Sequence, residues 1–401
     1  MKKFNKNILL FVFFAVFVVV GLWGNCFGQL GTEVKGFVYG LAHGEITAFN
    51  KGIDEISSKK LSYHELLMDI NSVKDNLLGV RVSVEKDVVK SDSGSLIKVS
   101  DEMTAEQIGR TVRRIAELQA VAEDSGAKFL YCAVPDKSYY EQAPTNAPDY
   151  NRQNYSQLMK QLAAENVPYL NFVDYFAALD VIDESDLYYR TDHHWTTHAG
   201  FLAAGKIWSE LNERYGVSVQ DELYNANNYL FENYPDHFLG SYGKKVGTYF
   251  AWGGADDFEL ITPDFETDFY EENTVTNQIV HGDFESVLLN KDRLKKDYYN
   301  FSTYNTYMAT NKQHVRVVKN NLRSDGAKVL IVQTSFGQVV SPFLALNCSE
   351  IHICDMRTDQ GIEGERPNLE EYINEIKPDV VIMLFNGVTD VEISDGRYDF
   401  F

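Results

Sequence analysis

The chain has 401 residues, which is enough for one large domain with additions or for two domains. Hydrophobic residues make up 44% and charged residues 24%, a globular composition rather than a disordered one. Lysine and arginine number 37 against 58 acidic residues, a formal net charge of −21. This charge repels phosphate backbones and argues against nucleic-acid binding. Four cysteines without a Cys-x-x-Cys pair exclude a disulfide scaffold and a cysteine-based zinc module.

Residues 1–32 predict a membrane-targeting segment. Three lysines within the first six residues precede the uncharged run Asn7–Thr32, whose apolar core is long enough for the roughly 20 residues that a bilayer requires. The lysines should stay in the cytoplasm, so a single-pass signal anchor is expected to hold the rest of the chain outside the cell membrane. A cleaved signal peptide, which would give a secreted protein, is the alternative. Its candidate site before Gln29 matches the small-x-small rule only weakly.

Residues 33–100 mix short apolar runs with charged residues and are predicted to form a membrane-proximal stalk. The first clear element follows at Thr104, where the pattern Thr-Ala-Glu-Gln is a capping box that opens an amphipathic helix. Gly126 ends this helix. The continuous apolar run Lys128–Val134 then predicts a strand that is buried on both faces.

Strands and helices go on alternating along the chain, which predicts an α/β fold with a mostly parallel sheet covered on both faces. The predicted strands are 169–173, 328–332, 350–353 and 379–385, and the predicted helices are 155–165, 196–211 and 367–376. Residues 221–310 interrupt the alternation, because they are rich in aromatic residues, Asp, Asn and Gly, and predict an inserted β or loop region. Residues 101–395 are therefore expected to form one extracytoplasmic domain.

Two sequence motifs carry residues suited to catalysis, and the first is Tyr189–His198, which holds three of the nine histidines beside Asp192. In an extended loop, residues i and i+2 point to the same side, so Asp192 and His194 are expected to pair. The carboxylate would fix the tautomer of the imidazole and raise its pKa above the ordinary value of about 6.5. His193 is expected to point the other way and to serve packing.

The second motif, Val332–Gly337, places Ser335 where a buried strand gives way to a predicted helix. Ligands of open α/β sheets bind at this carboxyl edge, and backbone N–H groups at such a turn can hold an oxyanion. Serine alone is a weak nucleophile that needs a base within reach. The pair Asp192 and His194 supplies that base if the fold brings both motifs to the same edge.

Three simpler interpretations of these motifs compete with a catalytic one. Ser335 can be an ordinary helix cap. His194 and His198, four residues apart, can bind a metal ion together with Asp192 or His193, although the chain has no glutamate in a His-Glu-x-x-His pattern. The histidines can also be structural, packed at the start of a helix.

The string Thr191-Asp-His-His-Trp-Thr196 resembles the signature of the DHHW-motif proteins, which are related to the extracytoplasmic O-acetyltransferases of the alginate-modifying type. Further blocks that resemble this family occur in its order: Ala133–Lys137, a strand ending in a Pro-x-Lys turn; Lys328–Phe336, the nucleophile strand; Ile353–Arg357, a strand ending in Asp-x-Arg; and Pro378–Asn386, the closing strand. The resemblance covers about residues 100–390 and implies an SGNH-hydrolase-like α/β/α fold in which the Asp-x-His motif precedes the serine motif.

Matched residue by residue, the resemblance implies that Ser335 is the nucleophile, His194 its base and Asp192 the carboxylate that orients the base. Many relatives have an aspartate before the serine, where this chain has Thr334. The backbone N–H of Ser335 is the first candidate for binding an oxyanion. The further candidates for oxyanion or substrate contacts are Arg357, Asn386 and Gly337. The resemblance implies no metal ion and no cofactor.

The function implied by the resemblance is the transfer of an acetyl group onto a hydroxyl of a cell-surface or secreted polysaccharide. A membrane acyltransferase partner would supply the acetyl donor, since export leaves acetyl-CoA out of reach. Two alternatives stay open, an SGNH-type carbohydrate esterase or deacetylase and a catalytically silent glycan-binding or assembly protein. The aromatic residues of the insert either stack on sugars or fill a small β core, and the second is favoured; they are Tyr242, Tyr249, Phe250 and Trp252.

Overall fold

The computed structural model describes residues 16, 64–83, 87–179, 183, 186–272, 275–276, 278–308, 313–357, 362–387 and 400–401. The predicted signal anchor or signal peptide, residues 1–32, lies outside this set except for Val16, and so does the predicted end of the domain at residue 395. Within the described residues, no helix combines the length and the apolar character needed to cross a membrane.

Residues 64–83 and 87–100 form a small layer that packs against the rest of the domain. Helix α1 (His64–Leu78) precedes an antiparallel sheet of strands β1 (Val82–Ser83), β2 (Val88–Lys90) and β3 (Leu96–Ile97). Apolar side chains of β2 and β3 share a buried cluster with Phe250, and the Lys90 ammonium donates to the Phe250 carbonyl oxygen at 3.0 Å. The described part of the predicted stalk is therefore packed against the domain.

The remainder of the domain alternates strands and helices with the predicted caps. Thr104 begins α2, because its hydroxyl accepts the Gln107 N–H while the Gln107 side chain accepts the Thr104 N–H at 2.8 Å. Thr196 caps α5 through the N–H of Ala199. The elements are α2 Ala105–Asp124, β4 Lys128–Val134, α3 Asn151–Ala164, β5 Tyr169–Asn171, α4 Phe172–Ala177, α5 Thr197–Tyr215, β6 Tyr229–Phe238, α6 Ser241–Val246, β7 Asp256–Pro263, β8 Phe269–Glu272, β9 Ile279–Gly282, α7 Phe284–Leu288, β10 Val315–Asn320, β11 Ala327–Gln333, α8 Ser341–Ala345, β12 Cys348–Cys354, α9 Leu369–Ile376 and β13 Val380–Asn386.

Eight of the described strands form one central sheet in the order β5-β4-β13-β11-β12-β10-β8-β9. The five strands from β5 to β12 in this order are parallel to one another, whereas β10, β8 and β9 add antiparallel pairs. The α/β fold is confirmed, but the sheet is mixed rather than mostly parallel. The short connection between β8 and β9 explains part of the difference, because only antiparallel strands can be joined without a long crossover.

The core lies on both faces of this sheet, as the continuous apolar strands predict. Side chains alternate along β4, so that Phe129 and Tyr131 contribute to one apolar cluster while Leu130 and Cys132 contribute to the other. Helices α2, α3 and α9 cover the first face. Helices α5, α7 and α8 cover the second face together with residues of β6 and β7. The result is the predicted α/β/α layering around strands that are buried on both sides.

The aromatic-rich region 221–310 divides into two parts. Strands β6 and β7 form a separate antiparallel pair, whereas β8 and β9 extend the central sheet through β10. The Tyr307 hydroxyl accepts the Ile261 N–H at 2.7 Å and donates to the Ile261 carbonyl oxygen at 2.9 Å, which ties the end of the region back to β7. The region is thus joined to the α/β core by backbone pairing and by buried side chains.

Candidate active site

The carboxyl end of β11 presents Ser335 as the sequence predicts. The strand ends at Gln333, and Ser335 is the first residue of a short 3₁₀ helix, Ser335–Val339. The N–H of Gly337 donates to the Thr334 carbonyl oxygen at 3.0 Å and closes this turn. A β-carbon at Gly337 would overlap the side-chain amide oxygen of Gln333, so the turn requires glycine here.

The other motif forms a bent loop, residues 189–196, which we call the histidine loop. The indole of Trp195, which belongs to this loop, is fully buried and donates to the Phe336 carbonyl oxygen at 3.0 Å. The loop is therefore joined directly to the 3₁₀ helix that begins at Ser335. Gly240 lies against the loop so closely that a β-carbon would overlap the side chain of Asp192. The Gly240 N–H donates to the Thr191 hydroxyl at 2.8 Å. Together these contacts bring the two predicted motifs to one edge of the sheet.

A continuous line of hydrogen bonds joins the three residues of the predicted triad. Ser335 Oγ lies 2.6 Å from His194 Nε2, and His194 Nδ1 lies 2.6 Å from Asp192 Oδ1. The Asp192 carboxylate also accepts the backbone N–H of His194 at 2.9 Å and that of Ser241 at 2.5 Å. A carboxylate on Nδ1 favours the tautomer with its proton there, which leaves Nε2 to accept the Ser335 hydroxyl proton.

Burial has a larger effect on the protonation of His194 than the neighbouring Asp192 carboxylate has. Asp192 is 3% exposed and His194 is 9% exposed. Burial, assisted by the charge of His193, lowers the pKa of His194 to about 4, although the Asp192 carboxylate acts in the opposite direction. The predicted rise above 6.5 is therefore wrong. Burial also opposes ionisation of Asp192, but His193 and His194 together lower the pKa of its carboxyl group well below its usual value.

His193 does not point away from the site, contrary to the alternation argument. Its Nδ1 lies 3.2 Å from Asp192 Oδ1 and 2.9 Å from Ser241 Oγ. The rings of His193 and His194 are 3.7 Å apart between centroids. The prediction fails because it assumed an extended segment, whereas the histidine loop bends between Thr191 and Trp195 and places both imidazoles on one carboxylate.

Tyr304 is a contact that sequence reasoning missed. Its ring is stacked on the His194 imidazole with centroids 4.1 Å apart and an interplanar angle of 15°. Tyr304 is 1% exposed and lies in the buried core, so it fixes the plane of the imidazole from the protein side. No local motif marks this residue, because it lies more than a hundred positions away in the aromatic-rich region.

The remaining predicted site residues have different surroundings. The Gly337 N–H donates to the Thr334 carbonyl oxygen, and the Asn386 side-chain amide donates to the Pro135 carbonyl oxygen at 3.1 Å. Both groups therefore stabilise the backbone of turns at the edge of the sheet. Arg357 is paired with Asp355, its Nε lying 2.9 Å from Oδ1. Its positive charge contributes to the low pKa of His194, so it acts electrostatically on the site.

The metal alternative is not supported by the donor atoms. Within the described residues, Asp192, His193 and His194 offer donor atoms within 4.8 Å of one another. Both ring nitrogens of His194 are occupied, one by Asp192 and the other by Ser335. His198 lies elsewhere, with its Nδ1 3.1 Å from Glu259 Oε2. A metal ion would therefore have to break the line of hydrogen bonds to gain the three ligands that such sites require.

The aromatic residues of the insert also separate into two groups. Tyr242 and Phe250 are buried in the cluster beneath β2 and β3, as the core interpretation predicts. Tyr249 and Trp252 are 50% and 54% exposed. The core interpretation therefore holds for the first two residues and not for the last two.

Comparisons with known proteins agree with this fold. Residues 95–237 match a family model described as the SGNH hydrolase-like domain of the acetyltransferase AlgX. The structure of Bacillus cereus PatB1 with a sulfonyl adduct aligns with a TM-score of 0.60 at 16% identity, covering 76% of this chain and 97% of that chain. A DHHW family protein from Eubacterium siraeum aligns with a TM-score of 0.56 at 18% identity, covering 77% and 93%. No curated protein matches the chain. The resemblance that the Asp-His-His-Trp string predicted is confirmed, because residues 95–237 match this family model and the fold of the chain is similar to that of a DHHW family protein.

Proposed function

We propose that this protein is an extracytoplasmic O-acetyltransferase that modifies a cell-surface or secreted polysaccharide through Ser335, His194 and Asp192. The observation that carries the proposal is the pair of 2.6 Å contacts that joins Ser335 Oγ to His194 and His194 to Asp192. A serine in hydrogen-bond contact with a base that is itself oriented by a carboxylate is the arrangement that acyl transfer requires. The matching family model describes an acetyltransferase, AlgX, which favours acetyl as the transferred group.

In the first step, His194 Nε2 accepts the Ser335 proton while Oγ attacks the carbonyl carbon of an acetyl donor. The tetrahedral intermediate collapses to acetyl-Ser335, and the donor's leaving group departs with the proton from His194. In the second step, His194 takes the proton of a sugar hydroxyl, whose oxygen attacks the acetyl-enzyme. Ser335 Oγ then leaves and regains the proton, so that the acetylated sugar is released and the enzyme is restored.

The negative charge of each intermediate needs donors close to the serine. The first N–H groups of a helix have no intrahelical partner, which makes the Ser335 N–H the first candidate. Arg357 is the second candidate, because its charge already acts on His194. Gly337 and Asn386 support the site in another way, because their N–H groups donate to backbone carbonyl oxygens at the edge of the sheet.

The same geometry also serves an esterase, in which water replaces the sugar hydroxyl in the second step. The difference between transferase and esterase lies in which acceptor the pocket admits, and not in Ser335 or His194. The N-terminal lysines and the apolar run that follows them favour a position on the outer side of a cell membrane. A membrane partner of the acyltransferase class would then pass the acetyl group outward, and neither step calls for a cofactor.

The proposal is tested with the full-length chain in detergent, with 4-nitrophenyl acetate as donor and unacetylated cell-envelope polysaccharide as acceptor. We expect acetyl ester on the polysaccharide with the native protein and none with Ser335→Ala. Release of free acetate alone would favour the esterase. A sulfonyl fluoride should modify Ser335, as seen by mass spectrometry. It should still modify Ser335 after Ser209→Ala, which replaces a partly exposed serine on α5 that donates to Glu213. Absence of both turnover and modification would overturn the proposal and favour a silent glycan-binding protein.

A further inference from the structure

Lys137 is a buried lysine beside the candidate active site. It follows β4 at the start of a short 3₁₀ helix, Lys137–Tyr139, and it is 2% exposed. Its ammonium group donates to the carbonyl oxygens of Tyr189 at 2.5 Å, Arg190 at 2.8 Å and Asp192 at 3.1 Å. An ammonium has three N–H donors. Each of them is therefore used on the backbone of the histidine loop.

Asp256, at the start of β7, binds the same stretch of backbone through its N–H groups. Its carboxylate accepts the N–H of Arg190 at 2.8 Å and the N–H of Thr191 at 2.9 Å. It also accepts the Thr191 hydroxyl at 2.5 Å. A buried cation thus binds the carbonyl groups and a buried anion binds the N–H groups of residues 189–192. We call Lys137 and Asp256 the loop-binding pair.

The charges that face Lys137 come from each element packed around it. Asp136 lies on its own turn, Glu141 follows that turn, Asp192 belongs to the histidine loop and Asp256 begins β7, and all four favour the ammonium form. Burial opposes them and is the larger effect, so that the pKa of Lys137 is lowered to about 8. The ammonium form is therefore present at neutral pH and is lost in mildly alkaline solution.

We propose that Lys137 is a positioning residue whose ammonium group, together with Asp256, holds residues 189–192 in the bend that directs Asp192 and His194 toward Ser335. This inference rests on the proposed function, because it assigns Lys137 to the same catalytic site. Lys137 itself does not touch the reacting atoms. It acts on them through the backbone on either side of Asp192.

The ammonium charge is essential to this role. A neutral amine has two N–H donors and a lone pair, and the lone pair would face one of the three carbonyl oxygens. The loop would then shift, and a displacement of about 1 Å at a catalytic group costs roughly 100-fold in rate. Lysine in the unfolded chain keeps its proton to about pH 10.4. Lys137 thus loses its proton at a lower pH in the folded chain than in the unfolded chain. For this reason its deprotonation does not itself reduce the free energy of unfolding. Activity should accordingly fall above about pH 8 while the protein remains folded.

The test compares Lys137→Met and Lys137→Arg with Lys90→Met. Lys90 is the matched control, because it too is a buried lysine, and the backbone carbonyl to which it donates, that of Phe250, does not belong to the histidine loop. We expect Lys137→Met to lower kcat about 100-fold with KM little changed. Lys137→Arg should keep its charge at all pH values and lose the decline above pH 8. Lys90→Met should lower the melting temperature and leave the pH profile of kcat as it is.

Two measurements separate this inference from the proposed function. The first is the rate at which a sulfonyl fluoride modifies Ser335, which should fall in Lys137→Met in parallel with kcat. The second is the downfield proton resonance of the His194 Nδ1–H bonded to Asp192, which reports loop geometry without any turnover. We expect this resonance to be lost in Lys137→Met and above pH 8 in the native protein. A native protein that shows the resonance but modifies no substrate would contradict the proposed function alone. An unchanged resonance and an unchanged kcat in Lys137→Met would overturn the role of Lys137.

Discussion

His193 and His194 are adjacent in sequence, yet their imidazoles lie side by side, with centroids 3.7 Å apart, on the same oxygen of Asp192. His194 is the inner ring, in contact with Ser335, and His193 is the outer ring, about a third exposed. The outer ring therefore influences both the charge and the orientation of the inner pair. This relationship gives His193 a measurable effect on the pH dependence of the site.

We predict that His193→Ala remains active at a reduced rate and that the acidic limb of kcat/KM moves to higher pH. Burial is the main reason for the low pKa of His194, and the charge of His193 is the second, so its removal lets that pKa rise. The loss in kcat should be about fivefold, the value of one hydrogen bond of about 1 kcal/mol to Asp192. His198→Ala, whose ring is paired with Glu259 instead, is the control and should leave the profile unchanged. If His193→Ala were folded but inactive, His193 rather than His194 would have to be assigned as the general base.

The native protein should itself retain activity in acid. His194 must be neutral to accept the Ser335 proton, and burial lowers its pKa to about 4. Activity should therefore fall only as the pH drops toward 4, and not on passing through the ordinary histidine value of 6.5. Initial rates from pH 4 to 7 with 4-nitrophenyl acetate, with folding followed by circular dichroism, check this. A midpoint above pH 6.5 in folded protein would contradict the low pKa.

Removal of the triad residues should have graded effects. Ser335→Ala and His194→Ala should each lower kcat by at least about 10⁴-fold, because nucleophile and base act as one unit. Asp192→Asn should cost less than either but still orders of magnitude, since the tautomer of His194 is no longer fixed. Melting temperatures must accompany the rates, because Asp192 also accepts backbone N–H groups. Equal rates for Asp192→Asn and the native protein would remove Asp192 from the mechanism.

Sequence reasoning succeeded where the relevant contacts are local or periodic. The apolar run Lys128–Val134 forms a strand buried on both faces, and Thr104 caps its helix, because short-range patterns determine both. The pairing of Asp192 with His194 was also correct, although the loop that achieves it is bent rather than extended. The mixed sheet was missed, since a hairpin within the aromatic-rich region adds its strands to an edge that no local pattern identifies.

The residues that support the site could not be predicted either, because no local sequence pattern identifies them. Asp256 and Tyr304 contact the histidine loop from positions far along the chain, and nothing in their neighbouring residues distinguishes them. Lys137 had a weak signal, a lysine directly after a buried strand in the Pro-Asp-Lys turn. That signal shows that a charge lies at the sheet edge, but not that the side chain turns inward to bind three carbonyl groups. Such contacts depend on tertiary packing.

Chelation should leave the activity unchanged. Asp192, His193 and His194 have donor atoms close enough together to bind one metal ion. Both ring nitrogens of His194 are already hydrogen-bonded, however, one to Asp192 and the other to Ser335. Dialysis against EDTA followed by rate measurements checks this, with elemental analysis of the same samples. Loss of turnover on chelation and its recovery on adding zinc would revive the metal alternative.

Gly337→Ala should lower kcat strongly without unfolding the protein. A methyl group at this position overlaps the side-chain amide oxygen of Gln333, which already accepts a hydrogen bond from the Ser341 hydroxyl and cannot easily move. The 3₁₀ turn must shift instead, and a shift of about 1 Å in Ser335 predicts a loss of roughly 100-fold in kcat. Gly109→Ala is the matched control, because its new methyl group meets only the flexible ends of Gln161 and Arg113. Alanine within α2 should stabilise the helix by about 1 kcal/mol. Rates and melting temperatures of the two variants decide the matter: native-like kcat in Gly337→Ala would show that the position of Ser335 does not depend on this turn.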